Sequence, residues 1–176
     1  MALEIGSKGM DFDLPGVDGK RYSLSSFVDR QAVVVIISCN HCPTVVAYED
    51  RMIAIQNDYQ EKGVALVAIN PNDEARYPSD SFENMAIRAQ EKGFNFPYLR
   101  DETQEVARAY GATRTPEVFV LDCDRRLAYH GRIDDNEYEP SSVQSHDLRK
   151  ALDELLAGKS VSTPETTPVG CTVKWK

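Results

Sequence analysis

The chain has no apolar run long enough to span a bilayer. The longest, residues 32–37, falls far short of the roughly 20 residues that a crossing helix needs. Its first ten residues lack the basic patch and apolar stretch of a secretory leader. Cationic charge is scarce too, with 20 Lys and Arg against 28 Asp and Glu and a formal net charge of -8. An acidic surface repels phosphate backbones, so nucleic acid is not an expected partner, and neither is a membrane. These absences point to a cytoplasmic location, where thiols stay reduced. Cysteine is sparse: Cys39, Cys42, Cys123 and Cys171 are the whole supply. A disulfide-stapled secreted scaffold is shorter and richer in cysteine, so these four read as thiols, some of them reactive.

What is present is a globular composition, 41% hydrophobic and 27% charged, at a length that suits one domain. The continuous apolar run at 32–37 predicts a central strand covered on both faces. Apolar residues then recur three or four apart at Val45, Tyr48, Met52, Ile55 and Tyr59, which predicts a helix that starts at Pro43 and is closed by Gly63. A second buried strand is expected over 64–69, and a helix over 81–92 closed by Gly93. A short strand within 94–99 and a short helix over 103–110 follow. Residues 117–121 and 127–131 read as a hairpin, and 147–156 as the last helix, stopped by Gly158. The turn-rich opening holds a short extended piece and one helical turn at 22–27. This alternation argues an α/β fold with a mixed central sheet flanked by helices, plus an N-terminal extension. The expected division is a domain over 1–158 and an irregular, extended C-terminal tail over 159–176 that carries Cys171.

The run at 32–37 stops at Ser38-Cys39-Asn40-His41-Cys42-Pro43. A strand running into a helix puts its junction at the carboxyl edge of the sheet, where open α/β folds place ligands. Unpaired N–H groups and the positive dipole end at a helix start favour a thiolate, the nucleophilic form of cysteine. Two cysteines two residues apart can close a disulfide there with little chain movement. The competing reading is zinc, which needs two further ligands, and no second close pair exists. His41, Cys123 and Cys171 supply them only by long-range convergence. His41 tunes the thiolate, contacts a partner, or is a polar residue of an exposed turn.

Thr115-Pro116 precedes the strand at Glu117. It is either a rigid turn or a cis-proline that leaves the preceding carbonyl free to hold a substrate. Arg114 and Arg132 are candidates to steady a thiolate or a bound anion, against the commoner fate of a solvated arginine. Asp134-Asp135-Asn136 reads as a turn or a rim of the site rather than a metal cluster.

The strand, the Cys39-x-x-Cys42 helix start, Thr115-Pro116 ahead of a strand and the terminal helix together resemble thioredoxin-fold proteins. Cys42-Pro43-Thr44 resembles the nucleophile segment of peroxiredoxins, and Gly6-x-x-Gly9-Met10-x-Phe12 with Gly19-Lys20 resembles their opening. Cys39 to Pro43, Ala68-Ile69-Asn70-Pro71-Asn72, Gly131 to Asn136 and Gly170 to Lys176 are similar to a peroxiredoxin-like (redoxin) branch of the thioredoxin family, over nearly the whole chain. The thioredoxin likeness implies that Cys39 attacks, Cys42 resolves and Pro116, after Thr115, is the cis-proline. The peroxiredoxin likeness implies instead that Cys42 attacks peroxide. The sequence departs from both patterns. Ser38 stands where thioredoxins usually carry Trp, Asn40-His41 replaces Gly-Pro, and no proline lies just upstream of Cys42.

The expected activity is thiol–disulfide exchange by the Cys39/Cys42 pair. Thiol peroxidase activity and a metal-binding or chaperone-like module are the alternatives. No cofactor or metal is expected. The expected partners are a disulfide-containing protein or a small thiol or peroxide, and an unidentified electron donor, with an oligomer left open. Cys171 has two readings. It is a buried small hydrophobe, or a third redox thiol brought back to Cys39 or Cys42 by an extended tail that Val173 and Trp175 anchor.

Overall fold

The computed structural model describes residues 2–176. Its elements in chain order are β1 (Asp13–Pro15), β2 (Arg21–Ser23), β3 (Ala32–Ile37), α1 (Pro43–Tyr59), β4 (Val64–Asn70), α2 (Phe82–Lys92) and β5 (Tyr98–Arg100). Then come α3 (Glu105–Tyr110), β6 (Arg114–Thr115), β7 (Glu117–Leu121), β8 (Leu127–Gly131), α4 (Asp147–Leu156) and β9 (Cys171–Thr172).

Six apolar residues in a row cannot alternate between core and solvent, and all six of β3 are buried. The strand is central in a five-stranded sheet of order β5-β4-β3-β7-β8. It pairs parallel with β4 and antiparallel with β7, so the sheet is mixed. Side chains alternate between two cores. Val34 and Ile36 meet Tyr48, Met52 and Ile55 of α1, Met85 of α2, and Leu148 and Leu152 of α4. Val33, Val35 and Ile37 meet Val106 and Tyr110 of α3 together with Phe12, Phe27 and Val173. Each such fully buried side chain contributes about 1.5–3 kcal/mol.

Local signals set the helix limits. Pro43 occupies the first helical position of α1, and Gly63 closes the turn that follows it at φ 89°. The Ser81 hydroxyl caps α2 by accepting from Asn84 N at 3.2 Å. The thioredoxin-like α/β architecture is therefore as the sequence predicts. Two small strand pairs are additional: β1 with β2 at the N-terminal end, and β6 with β9.

The tail is extended and is held at several points along its length. His130 N donates to Pro164 O at 2.9 Å and Thr166 N donates to His130 O at 3.0 Å, so the tail lies along the open edge of β8. Beyond it, β9 adds to β6. Among the described residues, no helix is long and apolar enough to cross a membrane.

Candidate active site

β3 delivers the chain to the cysteine loop at the carboxyl edge of the sheet, where Ser38 N donates to Ile69 O at 2.8 Å. Asn40 is held on three sides. Its N–H donates to Asp80 Oδ1 at 2.7 Å, its side-chain amide donates to Ser79 O at 2.8 Å, and its Oδ1 accepts from the Tyr98 hydroxyl at 2.7 Å. Cys42 is the residue that caps α1, and its carbonyl accepts the first helical bond from Val46 N at 2.9 Å. Its side chain makes no capping hydrogen bond, and its sulfur sits at the positive end of a 17-residue helix.

Cys42 is bonded to Cys171, 129 residues away, with 6.1 Å between their Cα atoms. The pair that forms is not the adjacent one: Cys39 is a free thiol. The cause is strand pairing. In the β6–β9 ladder Cys171 stands opposite Thr115, and the Thr115 carbonyl oxygen lies 3.5 Å from Cys42 Sγ. In the disulfide that sulfur carries no proton, so the approach is a packing contact, which becomes an S–H···O hydrogen bond on reduction. The Thr115–Pro116 peptide bond is cis.

Cys39 lies at the same threonine, with Sγ 3.6 Å from Thr115 Oγ1. It is only 2% exposed. Burial, and next the charge of Asp80, push its thiol up to about 11, while the Thr115 hydroxyl and the N–H groups of Cys42 and His41 pull the other way. At neutral pH about one molecule in ten thousand then carries a Cys39 thiolate. In this oxidation state Cys39 is a stored thiol, not a poised nucleophile.

The tail that brings Cys171 to the site is anchored on both sides of it. Val173 is buried and its N–H donates to Thr113 O at 3.0 Å. Lys174 N donates to Asn72 Oδ1 at 2.9 Å, and Asp73 N donates to Lys174 O at 2.8 Å. The Arg108 guanidinium sits 4.3 Å from the Trp175 ring centroid. A Cβ at Gly170 would overlap the Thr115 carbonyl oxygen, so only glycine fits there.

The remaining candidates separate. His41 stacks on Tyr77, and its Nδ1 lies 2.6 Å from Asp80 Oδ2. Arg114 donates to Gly170 O at 3.4 Å and so touches the tail beside Cys171. Arg132 is instead engaged by Asp147, Nε to Oδ2 at 2.8 Å, at the start of α4. Asp134 ties down α1, meeting Arg51 Nη1 at 2.8 Å and the Tyr48 hydroxyl at 2.7 Å, so the acidic turn is a structural anchor. Cys123 is exposed and free in the β7–β8 turn.

Two buried acids escaped the sequence reading. Asp80 looks like a solvent-facing residue ahead of α2, yet it is 0% exposed and holds the cysteine loop. Glu117 accepts from Thr113 N and Arg114 N, each at 2.9 Å, and meets His130 Nε2 at 2.6 Å. It fixes the segment ahead of the cis-proline.

A mixed sheet, a cysteine at the start of its first long helix, and a cis-proline beside a disulfide are features of the thioredoxin-like fold. Residues 4–149 match the Redoxin family, and the chain belongs to it. It is 42% identical to an uncharacterized conserved protein of Geobacillus kaustophilus, with a TM-score of 0.92, covering 99% of this chain and 93% of that one. A hypothetical protein of Sinorhizobium meliloti 1021 is 38% identical with a TM-score of 0.94, covering 100% and 97%. Among curated relatives, the thiol-disulfide oxidoreductase ResA of Geobacillus thermodenitrificans is 27% identical over 123 residues, which are 69% of this chain and 65% of that protein. The chain thus spans about 65% of the length of that relative.

Proposed function

We propose that the protein is a thiol–disulfide oxidoreductase in which Cys42 exchanges with the substrate and Cys171 and Cys39 act as successive resolving thiols. The observation that carries this is the Cys42–Cys171 disulfide, formed at a helix N-terminus with a third cysteine at the same Thr115. In the reduced protein, the Cys42 thiolate attacks one sulfur of a substrate disulfide. A mixed disulfide forms and the other substrate sulfur leaves as a thiolate. The Cys171 thiolate then attacks Cys42 Sγ, expels the second substrate thiolate and leaves Cys42–Cys171. Two electrons have passed from two protein thiols to one substrate disulfide. Once the Cys39 thiol gives up its proton, which burial makes slow, it attacks Cys42 Sγ: the Cys39–Cys42 bond forms, the Cys42–Cys171 bond breaks, and Cys171 leaves as a thiolate that takes up a proton. An external thiol donor restores the reduced state.

Reduction of an insulin-type disulfide tests this reading. Cys42→Ser should abolish turnover, and Cys39→Ser and Cys171→Ser should each slow it. Wild-type turnover by Cys42→Ser overturns the proposal.

One observation favours a second reading, a thiol peroxidase. Cys42-Pro43-Thr44 keeps the peroxiredoxin-like nucleophile segment, and condensation of a Cys42 sulfenic acid with the Cys171 thiol, releasing water, yields the same disulfide. Stopped-flow oxidation by hydrogen peroxide separates the two: a rate no faster than that of free cysteine removes the peroxidase reading.

A further inference from the structure

Asp80 is a buried acid with no lysine or arginine paired to its carboxyl among the described residues. Its carboxyl oxygens accept from three amides: Asn40 N at 2.7 Å, Asn70 Nδ2 at 3.2 Å and Asn72 Nδ2 at 3.0 Å. Arg100, the nearby guanidinium, donates to the main-chain oxygen of Asp80 at 3.5 Å. The His41 Nδ1 atom is 2.6 Å from Asp80 Oδ2 but out of line for a hydrogen bond, and it is buried with no other partner. A buried imidazole nitrogen left without a hydrogen bond is costly. The third group at this point is the Cys39 thiol. One ligand atom from each of Cys39, His41 and Asp80 lies within 4.8 Å of the others.

We propose that Cys39 Sγ, His41 Nδ1 and an Asp80 carboxylate oxygen form a binding site for a divalent cation of the zinc type, available while Cys42 is bonded to Cys171. Sulfur, imidazole nitrogen and carboxylate oxygen are the donors such ions take, at about 2.0–2.3 Å. Those bond lengths put tetrahedral ligands roughly 3.3–3.7 Å apart. The donor atoms already lie within 4.8 Å of one another, so binding would open the 2.6 Å His41–Asp80 approach and draw in the sulfur. Binding releases one proton, from the Cys39 thiol to solvent. The thiolate and the carboxylate then balance the two positive charges of the ion. The His41 side chain is 32% exposed, so the fourth position opens to solvent on its side. Because Cys42 is committed to its disulfide, the site differs from simple chelation by the adjacent cysteine pair. A bound cation would also withdraw Cys39 from exchange.

The test uses the oxidised full-length chain, stripped with chelator, in a Cys123→Ser background that removes the exposed thiol. Titration with Co²⁺ should give tetrahedral d–d bands and a thiolate-to-cobalt absorption that saturate at one equivalent, and Zn²⁺ should abolish both. Cys39→Ser should remove the thiolate band. Asp80→Asn and His41→Gln should each weaken binding roughly 10–100-fold or more, the range seen for lost metal-site support. Asp80 also anchors the cysteine loop, so circular dichroism must show that Asp80→Asn is folded. If it is not, His41→Gln decides alone. No band at one equivalent, or bands unchanged in Cys39→Ser or in His41→Gln, overturns the proposal. Disulfide turnover is measured without metal, so failure here leaves the oxidoreductase reading to its own assay.

Discussion

Thr115, whose bond to Pro116 is cis, and Cys171 face each other across the two-residue β6–β9 ladder. This pairing sets the tail against Cys42, whose Sγ lies 3.5 Å from the Thr115 carbonyl oxygen and is bonded to Cys171. Cys42 is fully buried beneath it. Disulfide closure is therefore governed by how firmly the tail is docked, because docking sets the effective concentration of Cys171 at Cys42.

The Trp175 anchor should be visible in that equilibrium. Trp175→Ala removes the stacking of Arg108 on the indole, worth about 0.5–1 kcal/mol at an exposed site, together with apolar packing against α3. The fraction of Cys42–Cys171 disulfide in a glutathione redox buffer should fall, with the midpoint moving about three- to tenfold toward more oxidising ratios. Peptide mapping across the buffer series reads this directly. An unmoved midpoint means that the last residues do not hold the tail.

Gly170→Ala tests the close approach itself. Its Cβ would run into the Thr115 carbonyl, a backbone atom that cannot swing aside. Overpacking of this kind costs about 1–3 kcal/mol. Thermal unfolding of the oxidised protein should shift downward and Cys42–Cys171 closure should slow. Reduced protein with the tail released should be nearly insensitive. Equal melting of wild type and variant in the oxidised state would argue against the contact.

Cys39 predicts a pH dependence. Its thiol titrates near 11 in the folded protein against about 9 in the unfolded chain, so the folded state binds the extra proton between these values. Unfolding free energy should fall as pH rises through that window, by up to about 1.4 kcal/mol per unit for this one group. Asp80, His41 and the buried Tyr98 hydroxyl surround the thiol. With chelator present, Cys39→Ser should make the slope between about pH 8 and 10 shallower by one group's share, while the buried tyrosines, whose hydroxyls burial also pushes up, keep the rest of the slope in both proteins. Urea unfolding across that range checks it. A slope unchanged in Cys39→Ser would show that the thiol is not the group responsible.

The core elements were legible because their signals are local. The apolar run of β3, the three-to-four spacing of α1 and the glycines that close α1, α2 and α3 each act within a few residues of sequence. The pairings that build the site were not, because they join distant segments. β6 and β9 are two residues each and carry no periodicity, so nothing in the tail announces its partner. Asp80 reads as an ordinary residue ahead of a helix. Only the fold brings it under Asn40 and His41, 40 and 39 residues earlier in the chain. The contact of Arg132 with Asp147, the first residue of α4, is hidden for the same reason, because it spans a loop with no regular pattern.

The Arg51–Asp134 pair gives a prediction away from the cysteines. Arg51 Nη1 meets both Asp134 oxygens, at 3.0 and 2.8 Å, and also donates to the Asn136 carbonyl at 2.6 Å. The Tyr48 hydroxyl shares Oδ1, and both acid and base are largely shielded from water. Removing one partner of such a pair leaves the other charge buried and unmatched, at a cost of about 3–5 kcal/mol. For a chain of this size each kcal/mol is worth about 2–4 °C, so Asp134→Ala should lower the melting temperature by roughly 6–20 °C. Arg51→Met should cost a similar amount. The double variant should be less destabilised than the sum of the two, because neither charge then remains without its mate. Melting curves of the four proteins close the cycle. Strict additivity would show that the two side chains act independently and that the acidic turn does not anchor α1 through this contact.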